Sequence, residues 1–229
     1  VTWNDNTSET NAGDVIEGIE NVNSQVGTND VSVPDQIDIA STITMDFAKR
    51  LTELHPNVIV AGIPSNHCRH AKGKGLINTV NDDWGLHSLR QIRKAFQFKG
   101  GRFAEVQFFE PEAHRESLTI DVLGTPIGLV HGHQASPNLF TKWWAEQLHG
   151  AGPVSHAEVM VTGHYHSFKT MPSGRSLRTG RSKWWLHAPT LDAGSDWYRN
   201  LRGDDSDPGL LVFEIDSVTG FDLQSLHIL

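Results

Sequence analysis

The apolar residues of this chain fall into two rhythms, and each predicts its own elements. After Pro34, the run Gln36-Ile37-Asp38-Ile39-Ala40 through Ile43, Phe47, Leu51 and Leu54 spaces apolar positions by three and four. That spacing predicts a helix resting one face on a sheet, with Pro56 just beyond its end. Residues 82–96 repeat the pattern, with Trp84, Leu86, Leu89, Ile92 and Phe96 on the side to be buried, and residues 138–149 predict a third helix. Between them, residues 58–63 and 127–130 are continuous apolar runs, while 103–109 and 117–123 alternate; all four read as strands. Residues 158–161, 184–186, 210–213 and 223–228 predict further strands. Residues 1–29 are polar and rich in Asn, Thr and Gly, with Gly13-Asp14-Val15-Ile16-Glu17 as the only compact signal, and read as irregular. No repeat or linker divides the chain, so a single domain spanning 1–229, of layered α/β class, is expected.

Composition sets the outer limits. With 229 residues and 38% hydrophobic content, ten Phe and seven Trp among them, the chain can bury one sizeable core. The single cysteine, Cys68, excludes an internal disulfide and suits a reducing cytosol. No apolar run reaches the ~18 residues of a membrane span, and no secretory signal opens the chain. A cytoplasmic protein is expected, with no membrane partner. The formal charge of -8 argues against broad non-specific binding of nucleic acid, so local charge must do any phosphate binding.

Chemistry gathers at the strand ends. Three predicted strands lead into Pro64-Ser65-Asn66-His67, His131-Gly132-His133 and Gly163-His164-Tyr165-His166. Imidazoles and a side-chain amide delivered from several strand ends to one sheet edge can build a metal cage. His131 ends its strand directly and is preferred to His133 for one ligand role. Each stretch also has a plainer reading: 163–166 as a turn with exposed imidazoles, and Asp14 as a cap for the segment after it.

In chain order, Gly13-Asp14, Asn66-His67, His131 and Gly163-His164-Tyr165-His166 resemble the motifs of calcineurin-like metallophosphoesterases, over about residues 14–166. The tail from Trp184 through Asp192-Ala193-Gly194-Ser195 to Phe213 is similar to phage-encoded members, of the kind that act as DNA repair exonucleases. The resemblance implies a four-layer α/β/β/α sandwich holding two divalent metals. On it, Asp14 bridges the two metals, Asn66, His131 and His164 complete one site, and His166 contributes to the other. Amide, carboxylate and imidazole donors suit Mn, Fe, Zn or Ni, and manganese is the expected ion. Two metals ~3.5–4 Å apart would supply both the hydroxide nucleophile and a clamp on developing charge. His67 is implied to be no ligand but the group that protonates the leaving oxygen. Arg69 is the first candidate for substrate binding, in a loop it shares with His70, Lys72 and Lys74. Cys68 departs from the family, which usually carries an acidic residue there.

The family opens with an apolar strand ending in Asp-x-His, and a second apolar strand delivers Gly-Asp. Neither is read before Gly13, so amino-terminal strands are expected to be missing from the chain as given. A metal-dependent phosphodiesterase acting on DNA, an exonuclease or endonuclease, is the leading expectation. A phosphatase or cyclic-nucleotide phosphodiesterase on a small substrate is the alternative, since the cage reads only the phosphate. From another class comes a non-catalytic scaffold that retained the fold. Related nucleases are often dimers, which leaves a homodimer open to this chain. Trp143-Trp144 and Trp184-Trp185 read as core or interface aromatics, and the basic loop of Arg175, Arg178, Arg181 and Lys183 reads as solvated surface as readily as a substrate contact.

Overall fold

Six polar residues, Asn6–Asn11, form the first strand of the protein, β1. The computed structural model describes residues 6–18, 29–72, 75–76, 79–192, 194 and 207–229. The chain divides into two compact units, residues 1–116 and 117–229. It is an α/β protein with parallel and mixed sheets.

In the first unit, helix α1 (Val33–Leu54) follows β1 and returns the chain to strand β2 (Asn57–Gly62). The pairing of β1 with β2 is parallel, from Asn6 opposite Asn57 to Asn11 opposite Gly62. This corrects the expectation of an irregular amino terminus over residues 6–11, and the expectation that no strand delivers Gly13-Asp14. The strand went unread because its six side chains are polar; it is held by the backbone ladder to β2, which has no hydrophobic signature. A two-residue hairpin follows, β3 (Ala71–Lys72) and β4 (Gly75–Leu76), and then helix α2 (Trp84–Lys99). Strand β5 (Gln107–Phe109) pairs with the far side of β2, so the sheet order is β1-β2-β5.

Both helices start where the sequence supplies caps. Ser32 accepts from the Asp35 N–H with Pro34 in the first turn of α1, and Asp83 accepts from the Leu86 N–H at 2.9 Å for α2. α2 buries Leu86, Leu89, Ile92 and Phe96 as expected, but Trp84 is 37% exposed. α1 differs more from expectation. It rests on Val58 and Val60 through Ala48, Met45 and Leu51, while Ile39, Ile43, Phe47 and Leu54 face outward at 38% exposure or more. Small Ala48 lets the helix approach the sheet closely, and the larger residues one turn-face away are turned out.

In the second unit, β6 (Ser117–Val122) and β7 (Thr125–Val130) form a hairpin, helix α3 (Phe140–His149) follows, and β8 (Val159–Thr162) pairs parallel to β7. β9 (Lys169–Arg175) and β10 (Ser182–His187) complete a five-stranded sheet in the order β6-β7-β8-β10-β9. The tail makes short pairs from β11 (Leu211–Val212), β12 (Ile215–Asp216), β13 (Gly220–Phe221) and β14 (His227–Ile228). Trp144 and Trp185 lie in the core with Val130, Phe140, Val154, Ala157 and Met160, as expected for core aromatics. Each indole N–H finds an acceptor, the Val154 carbonyl at 3.0 Å and Thr162 Oγ1 at 2.9 Å, so the rings are buried at no cost in hydrogen bonding. Among the described residues, no helix is long and apolar enough to cross a membrane.

Glu9 lines a cavity of about 20 Å³ with Thr44, Val60, Ser88, Leu89 and Ile92, and its Oε2 is buried with no hydrogen-bond partner among the described residues. Burial raises its pKa from 4.5 to about 8. The folded state therefore keeps a proton that the unfolded chain releases above about pH 4.5. Stability is expected to be full below about pH 4.5 and to fall as pH rises toward about 8, at up to about 1.4 kcal/mol per pH unit. In Glu9→Gln this component disappears. Urea unfolding of both proteins at about pH 5 and about pH 9 measures the difference, and equal pH slopes would refute the assignment.

Candidate active site

In the first unit, β1 and β2 end side by side, and their loops carry Asp14, Asn66, His67 and Arg69. Gly13 (φ 91°) and Asp14 (φ 51°) both adopt left-handed backbone, and the Gly13 N–H is accepted by Asn11 Oδ1 at 3.0 Å. The turn aims the Asp14 carboxylate at the neighbouring loop, where its Oδ1 accepts the His67 N–H at 3.1 Å. The Asp14 N–H donates to Ser65 Oγ at 2.9 Å, and the Cys68 N–H reaches the same oxygen at 3.3 Å. Ser65 is itself held, since its N–H donates to Asp83 Oδ2 at 3.0 Å.

Asp83 thus caps α2 with one oxygen and anchors the 64–68 loop with the other. The backbone closes the arrangement, with the Trp84 N–H on the Cys68 carbonyl at 2.8 Å and a β-bridge between Arg69 and Asp83. Burial raises the Asp83 pKa to about 6, against the backbone N–H groups that favour its charged form. The aspartate's place before the helix was a readable signal. Its second bond, to a residue 18 positions away, was not.

His67 is half-buried. Its Nδ1 lies 3.1 Å from the Glu17 carbonyl oxygen and 3.3 Å from Glu17 Oε1. Burial alone would lower the His67 pKa, but the hydrogen bond to Glu17 and the charges of Asp14 and Glu17 outweigh it and raise the value to about 9. The ring is therefore charged at neutral pH. Glu17 had no sequence signal for this role. Cys68 is buried and its thiol is pushed up to about 12, mainly by burial, which leaves it unreactive, in line with a packing role. Arg69 is half-buried, and its Nε is buried without a hydrogen-bond partner among the described residues. Lys74 lies outside the described residues, as do Ala193 and Ser195 of the tail motif.

In the second unit, parallel register does the positioning. Leu129 is opposite Val161, so the strands β7 and β8 end together, and the Gly163 N–H donates to the His131 carbonyl at 2.8 Å. His131 is fully buried, and its Nε2 lies 3.2 Å from His164 Nδ1, with ring centroids 5.0 Å apart. The His133 ring stands beside both, at 5.5 Å and 6.0 Å between centroids. Gly132 (φ 115°) allows the close approach, because a Cβ there would sit 2.8 Å from the Gly163 carbonyl oxygen. His164 (φ 80°) and His166 (φ 59°) also take left-handed backbone, and His166 is exposed. Two nitrogens each ~2.1 Å from one cation lie about 3.2 Å apart when they subtend about 100°, so His131 and His164 have ligand spacing.

His187, to which the sequence assigned no role, ends β10 beside this turn and is fully buried. Burial lowers its pKa to about 4, so the ring is neutral. The basic loop of the second unit is engaged internally. Arg178 bonds Glu158 through two nitrogens at 2.9 Å and 2.7 Å, and Arg175 and Arg181 donate to the carbonyls of Gly180 and Thr219. Lys183 sits 4.4 Å from the centre of the Trp144 ring.

No family model matches the chain, and no curated protein matches it. Among solved structures the chain is similar to zinc-bound wild-type Vps29 of Entamoeba histolytica, at 19% identity over 76% of this chain and 77% of that one, with a TM-score of 0.38. A double mutant of the same Vps29 gives 18% identity, coverage of 80% and 85%, and a TM-score of 0.38. A conserved uncharacterized protein of Streptococcus pneumoniae, described as a predicted phosphoesterase, gives 11% identity, coverage of 82% and 90%, and a TM-score of 0.34. Likenesses this weak carry no argument about activity, which has to rest on the residues themselves.

Proposed function

We propose that the protein is a metal-dependent phosphoesterase, and most specifically a phosphodiesterase that cleaves DNA. The observation that carries the reading is the His131–His164 pair, whose ring nitrogens converge to 3.2 Å at the ends of two parallel strands. The proposed ligands of the divalent ions are Asp14 and Asn66 in the first unit and His131, His164 and His166 in the second. Manganese is the proposed ion, with zinc, iron and nickel compatible with the same donors. When bound, such ions supply an attacking hydroxide at neutral pH and stabilise charge on the phosphoryl oxygens.

The remaining chemistry belongs to the chain. His67, held charged by Glu17 and Asp14, would deliver its proton to the leaving oxygen, and losing the leaving group as an alcohol removes the need to expel an alkoxide. Arg69 carries a buried N–H with no partner among the described residues, which a non-bridging phosphate oxygen would satisfy. The turn at Gly13-Asp14 would orient the carboxylate, with its backbone already fixed on Ser65 Oγ.

A second reading, hydrolysis of a small phosphate ester, is favoured by one observation. Arg175, Arg178 and Arg181 are engaged within their own unit and Lys183 rests over Trp144, so these four groups are not a free track for a polymer. The chain's net charge of -8 points the same way.

Manganese-loaded protein is expected to hydrolyse bis-p-nitrophenyl phosphate in preference to p-nitrophenyl phosphate and to nick or degrade DNA, with activity lost in EDTA. A clear preference for the monoester, with no action on DNA, would move the assignment to the small-substrate reading. No activity in any divalent metal would end the enzyme reading in favour of a scaffold. In a separate test, His67→Ala should lower kcat on the diester by about 10²–10⁴-fold with bound metal unchanged, whereas His164→Ala should lose metal. Measuring metal content beside kcat separates the two roles, and loss of metal in His67→Ala would contradict the proton-donor assignment.

A further inference from the structure

Ring nitrogens and backbone meet at one place in the second unit that the mechanism above does not use. His187 is the last residue of β10, opposite Thr162 of β8, and its side chain is fully buried. Its Nε2 accepts the Tyr165 N–H at 3.2 Å. Nδ1 must then carry the proton, and it donates to the Ser167 carbonyl at 2.6 Å. The two bonds bracket His166, one on each side. They grip a turn whose backbone is unfavourable by itself, since both His164 and His166 sit at positive φ, where L-residues without a compensating contact rarely stay. The sheet fixes the grip, because the Ala188 N–H just beyond the ring donates to the Thr162 carbonyl at 2.7 Å. Tyr165 completes the frame. Its hydroxyl donates to the Ala135 carbonyl at 3.3 Å, and its ring packs edge-on against His164 with centroids 4.6 Å apart.

We propose that His187 is a positioning residue for the turn at 163–166, clamping the backbone on both sides of His166 so that the imidazoles of His164 and His166 are presented to a divalent cation. The proposal rests on the metal-dependent reading given above. Its physical basis is preorganisation: a turn that must pay for two left-handed histidines on binding a cation binds it weakly, and one already held in that shape does not. A glutamine at 187 could still offer one acceptor and one donor, whereas a leucine offers neither.

The test titrates wild type, His187→Leu and His187→Gln with Co²⁺, followed by its visible absorption bands, and with Mn²⁺, followed calorimetrically. His187→Leu is expected to bind both ions about ten- to a hundred-fold more weakly and to shift the cobalt bands, with His187→Gln recovering most of the affinity. A merely structural histidine would lower the melting temperature of the metal-free protein in both variants and leave affinity and spectrum alone; that result overturns the proposal. Wild type that binds neither ion overturns the metal-dependent reading itself, and this proposal with it. Should His187→Leu fail to fold, His187→Gln is read alone, beside the ¹⁵N spectrum of the wild-type imidazole. That spectrum is expected to show the proton on Nδ1 and a bare Nε2 at neutral pH, and the opposite tautomer would overturn the clamp.

Discussion

Two imidazole nitrogens 3.2 Å apart, one ring wholly buried, form the contact around which the second unit is organised. Presenting both nitrogens to one point needs the two rings held firmly. Register provides this. Leu129 pairs with Val161 across two parallel strands, and a slip by a single residue would turn His131 to the opposite face of the sheet. Val130, Met160, Phe140, Trp144 and Trp185 pack together in the core beneath and resist such a slip. Each of these buried side chains contributes on the order of 1.5–3 kcal/mol when removed from water, more than any single contact in the site. The apolar core is what sustains the polar geometry.

The first unit reaches a comparable precision by other means. Asp14 and His67 come from loops 53 positions apart, and between them lies a chain of hydrogen bonds. Asp83 accepts the Ser65 N–H, and the Ser65 hydroxyl oxygen accepts the N–H groups of Asp14 and Cys68. One carboxylate and one hydroxyl thus set the position of both loops. Burial makes this economical, because a polar atom removed from water holds its partners more tightly than an exposed one, provided that every bond is made. Asp83 pays for its own desolvation through these N–H donors, and its raised pKa records the balance. The same logic accounts for β1, a strand with no apolar side of its own that exists because β2 offers a complete backbone ladder.

What could be read from the sequence divides along that line. Elements whose stability comes from apolar burial were legible: α2 with Leu86, Leu89, Ile92 and Phe96, the strands leading to His67, His131 and His164, and the indoles of Trp144 and Trp185 in the core. Elements held by backbone or polar bonds were not, and β1 is the plainest case. α1 was legible as a helix but not in its orientation, since periodicity gives a stripe and only the sheet decides which stripe it covers; the contact went to Ala48 and left Ile39 and Ile43 outside. Histidines followed the same rule. Those after strand ends could be singled out as candidates, whereas His187 bonds two backbone groups that no spacing rule connects to it.

Charge gives the last step. A chain of net charge -8 repels a phosphate ester at long range, so attraction has to come from groups within a few ångströms of it. The arginines at 175, 178 and 181 already bond Gly180, Glu158 and Thr219, so part of their donor capacity is used within their own unit. Arg69 stands apart from them, for its Nε is buried with no partner among the described residues, a condition that costs about 1–3 kcal/mol and is relieved by an acceptor that enters. An anion bound there recovers that energy as affinity, whereas one bound at 178 must first compete with Glu158. Recognition on the proposed reading is therefore local and specific to the phosphoryl group, with Arg69 and the cations supplying the positive charge nearest to it.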